Sequence, residues 1–211
     1  MKNSLQYRRV DKAIITAFIE LARDNPFEKI TVQDILEEAL VSRYTFYKHF
    51  HDKYEIAERI QEELYQEFLF FIQKKVPELD AKNISVKDHH QLFDFETAQF
   101  TKKNETKLQA IKNIRTETID FYRLMRTYFM DHYMESYPDR ADAKLEAKIY
   151  ANMVEAVMDY YVEYSHTLSS NINESVTNAH IRACLYGIGV HQEEKIQKVQ
   201  EFLAELIFGN R

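Results

Sequence analysis

The sequence predicts an all-α fold, and three observations carry that prediction. Apolar residues recur at helical spacing along most of the 211 residues. The three glycines, Gly187, Gly189 and Gly209, all lie near the C-terminus, so residues 1–186 lack the residue that most readily supplies the positive φ of hairpin turns. No segment alternates apolar and polar positions as a half-buried strand would, and neither a solenoid period nor a low-complexity tract is evident.

The elements follow in order. Val10, Ile14, Ala17, Phe18 and Leu21 share one face of a first helix, which should stop before Asn25-Pro26 because the residue preceding a proline is pushed out of the helical region. Thr31 is placed to cap a second helix, with Asp34 three residues on and Val32, Ile35, Leu36 and Ala39 as its apolar face. Ser42 opens a short third helix to about Phe50, with Phe46 and Phe50 inward, and Asp52 caps a fourth with Glu55 as its reciprocal partner. That fourth helix shows Ile56, Ile60, Leu64, Phe68, Phe71 and Ile72 on one side and runs from Lys53 to a stop at Pro77, long enough to join two bodies. Further helices are expected over 89–103, 104–115, 117–135, 141–168, 176–186 and 191–208, punctuated by Pro138, Ser169-Ser170-Asn171 and the Gly187/Gly189 pair. The domains read as 1–53 and 54–211.

Composition narrows the function. No G-x-x-x-x-G-K-[ST] or G-x-S-x-G occurs, and Gly187-Ile188-Gly189 lacks a third glycine because position 192 is Gln192, which argues against the familiar nucleotide-binding and acyl-transfer sites. A lone Cys184 cannot form an intrachain disulfide, so a cytoplasmic protein is expected. Neither a signal peptide nor a membrane segment is expected, since the start has no apolar stretch behind its charges and the longest apolar run, Phe68–Ile72, is far too short to span. The net charge of −6 opposes a nonspecific nucleic-acid coat. Its distribution is uneven: residues 1–53 carry nine Lys/Arg against eight Asp/Glu, and Arg43, Lys48, Lys53, His49 and His51 gather within 42–53 against Asp52 alone.

Residues 31–50 read as two short helices separated by a tight turn, the spacing of a helix-turn-helix. Ser42, Arg43, Tyr44 and Thr45 fall on the first turn of the second helix, the end that enters a major groove in such motifs. Arg43 can offer two hydrogen bonds to a guanine edge, and Tyr44 and Thr45 hydroxyl or apolar contacts. Tyr47, Lys48 and His49 lie one turn on and are expected at phosphates. Lys53 sits against the positive end of a helix dipole, a conflict that a docked anion would remove, and Thr31 offers a hydroxyl and free amides to a phosphate at the preceding helix start.

Thr31-Val32-Gln33-Asp34-Ile35, then Val41-Ser42-Arg43-Tyr44-Thr45-Phe46-Tyr47-Lys48-His49-Phe50, then Asp52-Lys53, resemble the TetR family of bacterial transcriptional regulators over roughly residues 8–60. The resemblance implies an N-terminal three-helix helix-turn-helix domain joined by a long helix to a larger helical ligand-binding and dimerisation domain. It also implies a homodimer that binds double-stranded operator DNA of palindromic symmetry, most simply as a repressor, open to release by a small-molecule effector and needing no cofactor. Thr31, Arg43, Tyr44, Thr45, Tyr47, His49 and Lys53 would take over the DNA contacts, and Phe46 and Phe50 the packing of the reading helix. In one place the sequence departs from the family, which usually has glycine in the turn where this chain has Leu40. A leucine there must either adopt a left-handed conformation or force a different turn.

The remaining chain is dense in aromatics. Most belong to a core, but Phe100, Phe121, Tyr122, Tyr128, Phe129 and Tyr160 are candidates for a pocket holding an apolar or cationic small molecule. Two stripes suggest pairing with a second copy as a four-helix bundle: Ile149, Met153, Val157, Tyr160 and Tyr164, and Val199, Phe202, Leu203 and Leu206. Two other readings compete. Glu163-Tyr164-Ser165-His166 has the spacing of a carboxylate-bridged metal oxidase but lacks the second such motif that site requires, and no metal is expected; a helical interaction protein without DNA binding is the other.

Overall fold

A computed structural model describes the backbone of residues 5–75, 86–164 and 193–208, and the side chains of residues 5–74, 99–164 and 194–201. Among the described residues every regular element is a helix, so the fold is all-α. In chain order they are α1 (Leu5–Asp24), a 3₁₀ turn (Phe27–Lys29), α2 (Val32–Ala39), α3 (Arg43–His49) and α4 (Lys53–Phe70), which runs into a π turn at Phe71–Lys75. Then come α5 (Val86–Ile111), α6 (Phe121–Ser136), α7 (Ala143–Tyr164) and α8 (Glu193–Phe208). None of them is long and apolar enough to cross a membrane, within the residues described.

The chain divides into two compact units, Met1–Leu69 with Asn104–Ala151 and Phe70–Lys103 with Asn152–Arg211. In the first, the apolar faces read from the sequence are the ones buried: Ile14 and Phe18 on α1, Ile35 and Leu36 on α2, Phe46 on α3 with Phe50 just after it, and Ile56, Ile60, Leu64 and Phe68 on α4. Aromatic edges tie the corners. Phe27 meets Tyr54 edge-on at 5.0 Å, and Phe68 meets Tyr128 and Phe129 of α6 at 5.6 Å each, geometries that ring quadrupoles favour.

A polar residue interrupts the buried stripe of α4. Gln61 Nε2 donates to the Thr118 carbonyl at 3.0 Å, and its Oε1 accepts from the Asp120 amide at 2.7 Å, so both ends of the buried amide are satisfied. The loop before α6 is thereby fixed to α4. Asp120 then caps α6 by accepting from the Arg123 amide at 2.9 Å. This is why α6 starts at Phe121 and not near 117, as the periodicity alone suggested.

Two expected helices, 89–103 and 104–115, are one. No proline or glycine interrupts α5, and Asn104, taken as a start, is a buried mid-helix residue whose amide donates to Glu67 at 3.2 Å. The helix expected over 176–186 lies outside the described residues. In the second unit Phe71 stacks on Phe100 at 5.6 Å, and Met158, Tyr161 and Val162 of α7 and Ile196 of α8 are buried.

Candidate nucleic-acid interface

The segment 31–50 folds as two capped helices. Thr31 and Asp34 form a reciprocal capping box: the Thr31 oxygen accepts from the Asp34 amide at 3.2 Å, and Asp34 Oδ2 accepts from the Thr31 amide at 2.8 Å and its hydroxyl at 2.7 Å. These bonds, the hydroxyl's first, hold the Asp34 carboxyl below its ordinary pKa. The Thr31 hydroxyl donor is thus engaged within the chain.

At the other end of α2, Leu40 takes the left-handed conformation, φ 53° and ψ 41°, and it is the single non-glycine positive φ among the described residues. The Val41 amide donates to Leu36 O at 3.1 Å and the Leu40 amide to Glu37 O at 3.4 Å, the bond pattern of a Schellman motif. Of the two outcomes open to the sequence, strain and a different turn, the chain adopts strain. Leu40 is 91% exposed.

Ser42 then caps α3, its oxygen accepting from the Thr45 amide at 3.1 Å and lying 2.9 Å from the Thr45 hydroxyl. Helical periodicity sorts the seven residues of α3 and the Phe50 that follows into two flanks. Phe46, His49 and Phe50 face inward; Arg43, Tyr44, Tyr47 and Lys48 face solvent, with Tyr44 71% exposed. Arg43 Nη2 donates to Gln33 Oε1 at 3.0 Å, and Gln33 Nε2 donates to Glu37 Oε1 at 2.7 Å, so a chain of bonds from α2 braces the guanidinium. The Lys48 ammonium lies 4.2 Å from the centre of the Tyr44 ring, a cation-π pair on the same flank. The result is an exposed face with two cations, two phenols and no carboxylate on α3 itself.

Two residues expected at phosphates make contacts within the chain. The His49 side chain is 6% exposed: it bonds Asp11 through Nδ1 and stacks on Tyr7 at 3.9 Å, while Arg59 reaches the same Asp11 at 3.1 Å. Tyr7 also donates to the Lys48 carbonyl at 3.1 Å. The cause is a carboxylate, Asp11, on the apolar stripe of α1, where burial demands partners. Lys53 is likewise occupied: its ammonium donates to the carbonyls of Phe27, Glu28 and Ile30 at 2.7, 3.2 and 2.8 Å. Those carbonyls engage the ammonium at the start of α4. Nearby, Asp52 caps α4 through the Glu55 amide at 2.9 Å, and Glu55 accepts from the His51 amide at 2.6 Å, one residue earlier than a strict capping box.

Sequence reasoning missed Asp11, Tyr7 and Gln33. Asp11 carried a signal, a carboxylate in register with Ile14 and Phe18 on a buried face. Gln33 carried none, because its partner is ten residues away on another helix.

The proposed pocket residues are distributed through the packing. Phe100, Phe121, Tyr122 and Phe129 are buried, Tyr128 is half-buried, and Tyr160 is exposed and packs on Tyr164 at 4.8 Å. Amphipathic helices bury their aromatics first, and that demand takes most of this set. Burial holds the Tyr128 and Tyr150 phenols above their ordinary pKa. A cleft of about 310 Å³ opens elsewhere in the first unit, between the loop after α1 and the end of α5, lined by Asp24, Asn25, Glu28, Gln109 and Asn113 among others.

On α7, Leu145, Ile149, Met153, Tyr160 and Tyr164 form an exposed apolar stripe, with Val157 half-buried within it. On α8, Val199 is half-buried, and Phe202, Leu203 and Leu206 lie outside the residues whose side chains are described. Among the described residues no group of three or more His, Cys, Asp or Glu could hold a metal, and His166 falls outside them.

Comparisons with known proteins agree with this geometry. Residues 14–60 match the family described as bacterial regulatory proteins, tetR family. Among solved structures, the chain is similar to one described as a TetR-family transcriptional regulator from Syntrophomonas wolfei str. Goettingen, with a TM-score of 0.54 at 15% identity over 97% of each chain. It is also similar to a gamma-butyrolactone receptor, an ArpA-like protein, with a TM-score of 0.52 at 15% identity over 92% of this chain and 99% of that one. No curated protein matches the sequence.

Proposed function

We propose that this chain, which carries the TetR-family helix-turn-helix domain over residues 14–60 and has the all-helical fold of that family's regulators, is a cytoplasmic transcriptional repressor that binds a palindromic operator as a homodimer. The observation that carries the reading is the flank of α3: Arg43, Tyr44, Tyr47 and Lys48 face solvent while Phe46, His49 and Phe50 hold the helix from behind. Arg43, braced by Gln33, reads a guanine edge, Tyr44 and Thr45 make neighbouring contacts, and Ser42, Tyr47 and Lys48 meet the sugar-phosphate rails. Thr31 lies at the start of α2, where backbone amides face a phosphate. His49 and Lys53 support this surface from within.

Functionally, residues 1–53 form the reader and 54–211 the regulatory and dimerising part. A seven-residue reading helix needs two half-sites for useful affinity, and the exposed stripe of α7 supports pairing with a second copy, α8 completing a four-helix bundle. A small-molecule effector releases the DNA by binding more tightly to a dimer whose two readers are wrongly spaced. The fold shared with a gamma-butyrolactone receptor supports such a response.

The test is selection of bound duplexes from a random library, followed by gel-shift titration over a range of salt. Two dyad-related half-sites and a steep loss of affinity with salt are expected. Arg43→Ala should relax preference at one position per half-site, a loss of roughly 5- to 150-fold in discrimination. No selected sequence, or an unchanged preference in Arg43→Ala, would overturn the assignment of α3.

A further inference from the structure

We propose that Leu40 is an apolar DNA contact, reading a thymine methyl at the edge of each half-site; the proposal rests on α3 being the helix that enters the groove. The closing bonds of α2, from the Leu40 and Val41 amides to Glu37 and Leu36, require a left-handed residue at position 40. Glycine meets that requirement without a steric penalty, whereas leucine is disfavoured by its Cβ. The disfavoured side chain receives no burial in its own chain in return, since Leu40 is 91% exposed. Strain retained at an exposed apolar side chain points to a contact outside the molecule.

Position and chemistry identify that contact. Leu40 is three residues ahead of Arg43, within about 11 Å of it along the backbone, and with Tyr44 it gives the entry end of α3 two exposed apolar groups. When the first turn of a reading helix enters a major groove, the turn before it lies against the groove wall. There the C5 methyl of thymine projects beside its own strand, the one apolar feature that base edges display in the groove. An isobutyl group has no donor for a phosphate, and a methyl is the partner it suits.

The experiment uses the full chain and the duplex selected by the wild type. Each thymine is replaced in turn by deoxyuridine, which pairs identically but lacks the methyl. At one position in each half-site, a single replacement should lower wild-type affinity about four-fold. Leu40→Gly, which removes the contact from both half-sites at once, should lower affinity for the unmodified duplex by the square of that factor, roughly 15-fold, and abolish sensitivity to that replacement, leaving the Arg43 position unaffected. Leu40→Gly suits the left-handed backbone, and a cooperative thermal unfolding transition is the check that it folds. The proposal is overturned if Leu40→Gly binds with wild-type affinity and the wild-type replacement profile. It is overturned equally if affinity falls while every methyl sensitivity persists, which would place Leu40 on the sugar-phosphate backbone. Failure of the wild type to select any duplex would instead remove the DNA-binding reading itself.

Discussion

At the scale of single residues, the helix-turn-helix is held by short bonds that a spacing argument reaches and by distant ones that it does not. Thr31 with Asp34 and Ser42 with Thr45 are three residues apart, so their caps were legible. The bond from His49 to Asp11 was not legible because the partner is 38 residues away, and periodicity says which residues share a flank without saying where a polar one on the buried flank finds its bond. Leu40 gives a stability prediction. Relief of a left-handed leucine is worth about 1–2 kcal/mol, and the larger unfolded-state freedom of glycine returns about 0.4–1 kcal/mol of it. Leu40→Gly should therefore stabilise the chain by roughly 1 kcal/mol, raising the melting temperature by about 2–4 °C in a calorimetric scan. Asp34 gives a pH dependence. Its folded pKa is depressed by the Thr31 hydroxyl and amide, so its stabilisation is fully present above the unfolded value and is lost as pH falls through the folded one. The difference in melting temperature between wild type and Asp34→Asn should be largest near neutrality and shrink below about pH 4.

At the scale of elements, the helices of the N-terminal segment stand where their caps and apolar faces put them, and the departures trace to buried polar groups. Gln61, a polar residue within the buried stripe of α4, is the anchor for the loop that delays α6 to Phe121. Lys53 looked like a dipole conflict at the start of α4; it is the clasp that closes the 3₁₀ turn against α4. Its ammonium also lies 4.5 Å from the Phe27 ring centre. Replacing it by methionine keeps the stem and removes three charge-assisted bonds from a half-buried site. Lys53→Met should cost roughly 2–3 kcal/mol in denaturant unfolding. The salt slope of DNA binding should stay at its wild-type value, whereas a lysine that itself neutralised a phosphate would lower it by about one unit.

At the scale of the molecule, the fold class and the helix-turn-helix segment were open to sequence reasoning because each depends on local period. The pocket was not, since an aromatic on a buried helical face looks the same whether it fills a core or lines a cavity. Oligomeric state belongs to this scale too. The α7 stripe is apolar at successive turns and exposed, with Ile149 58% and Leu145 60% accessible. Ile149→Glu should convert a dimer to a monomer in analytical ultracentrifugation and weaken operator binding by orders of magnitude, with the melting temperature of the isolated chain little changed because that side chain is not in its core. The two flanks of α3 have an evolutionary corollary. Phe46, His49 and Phe50 fasten the helix from one flank, so under the proposed reading a handful of substitutions at positions 43, 44, 47 and 48 on the other would readdress the protein to another operator while those three stay as they are.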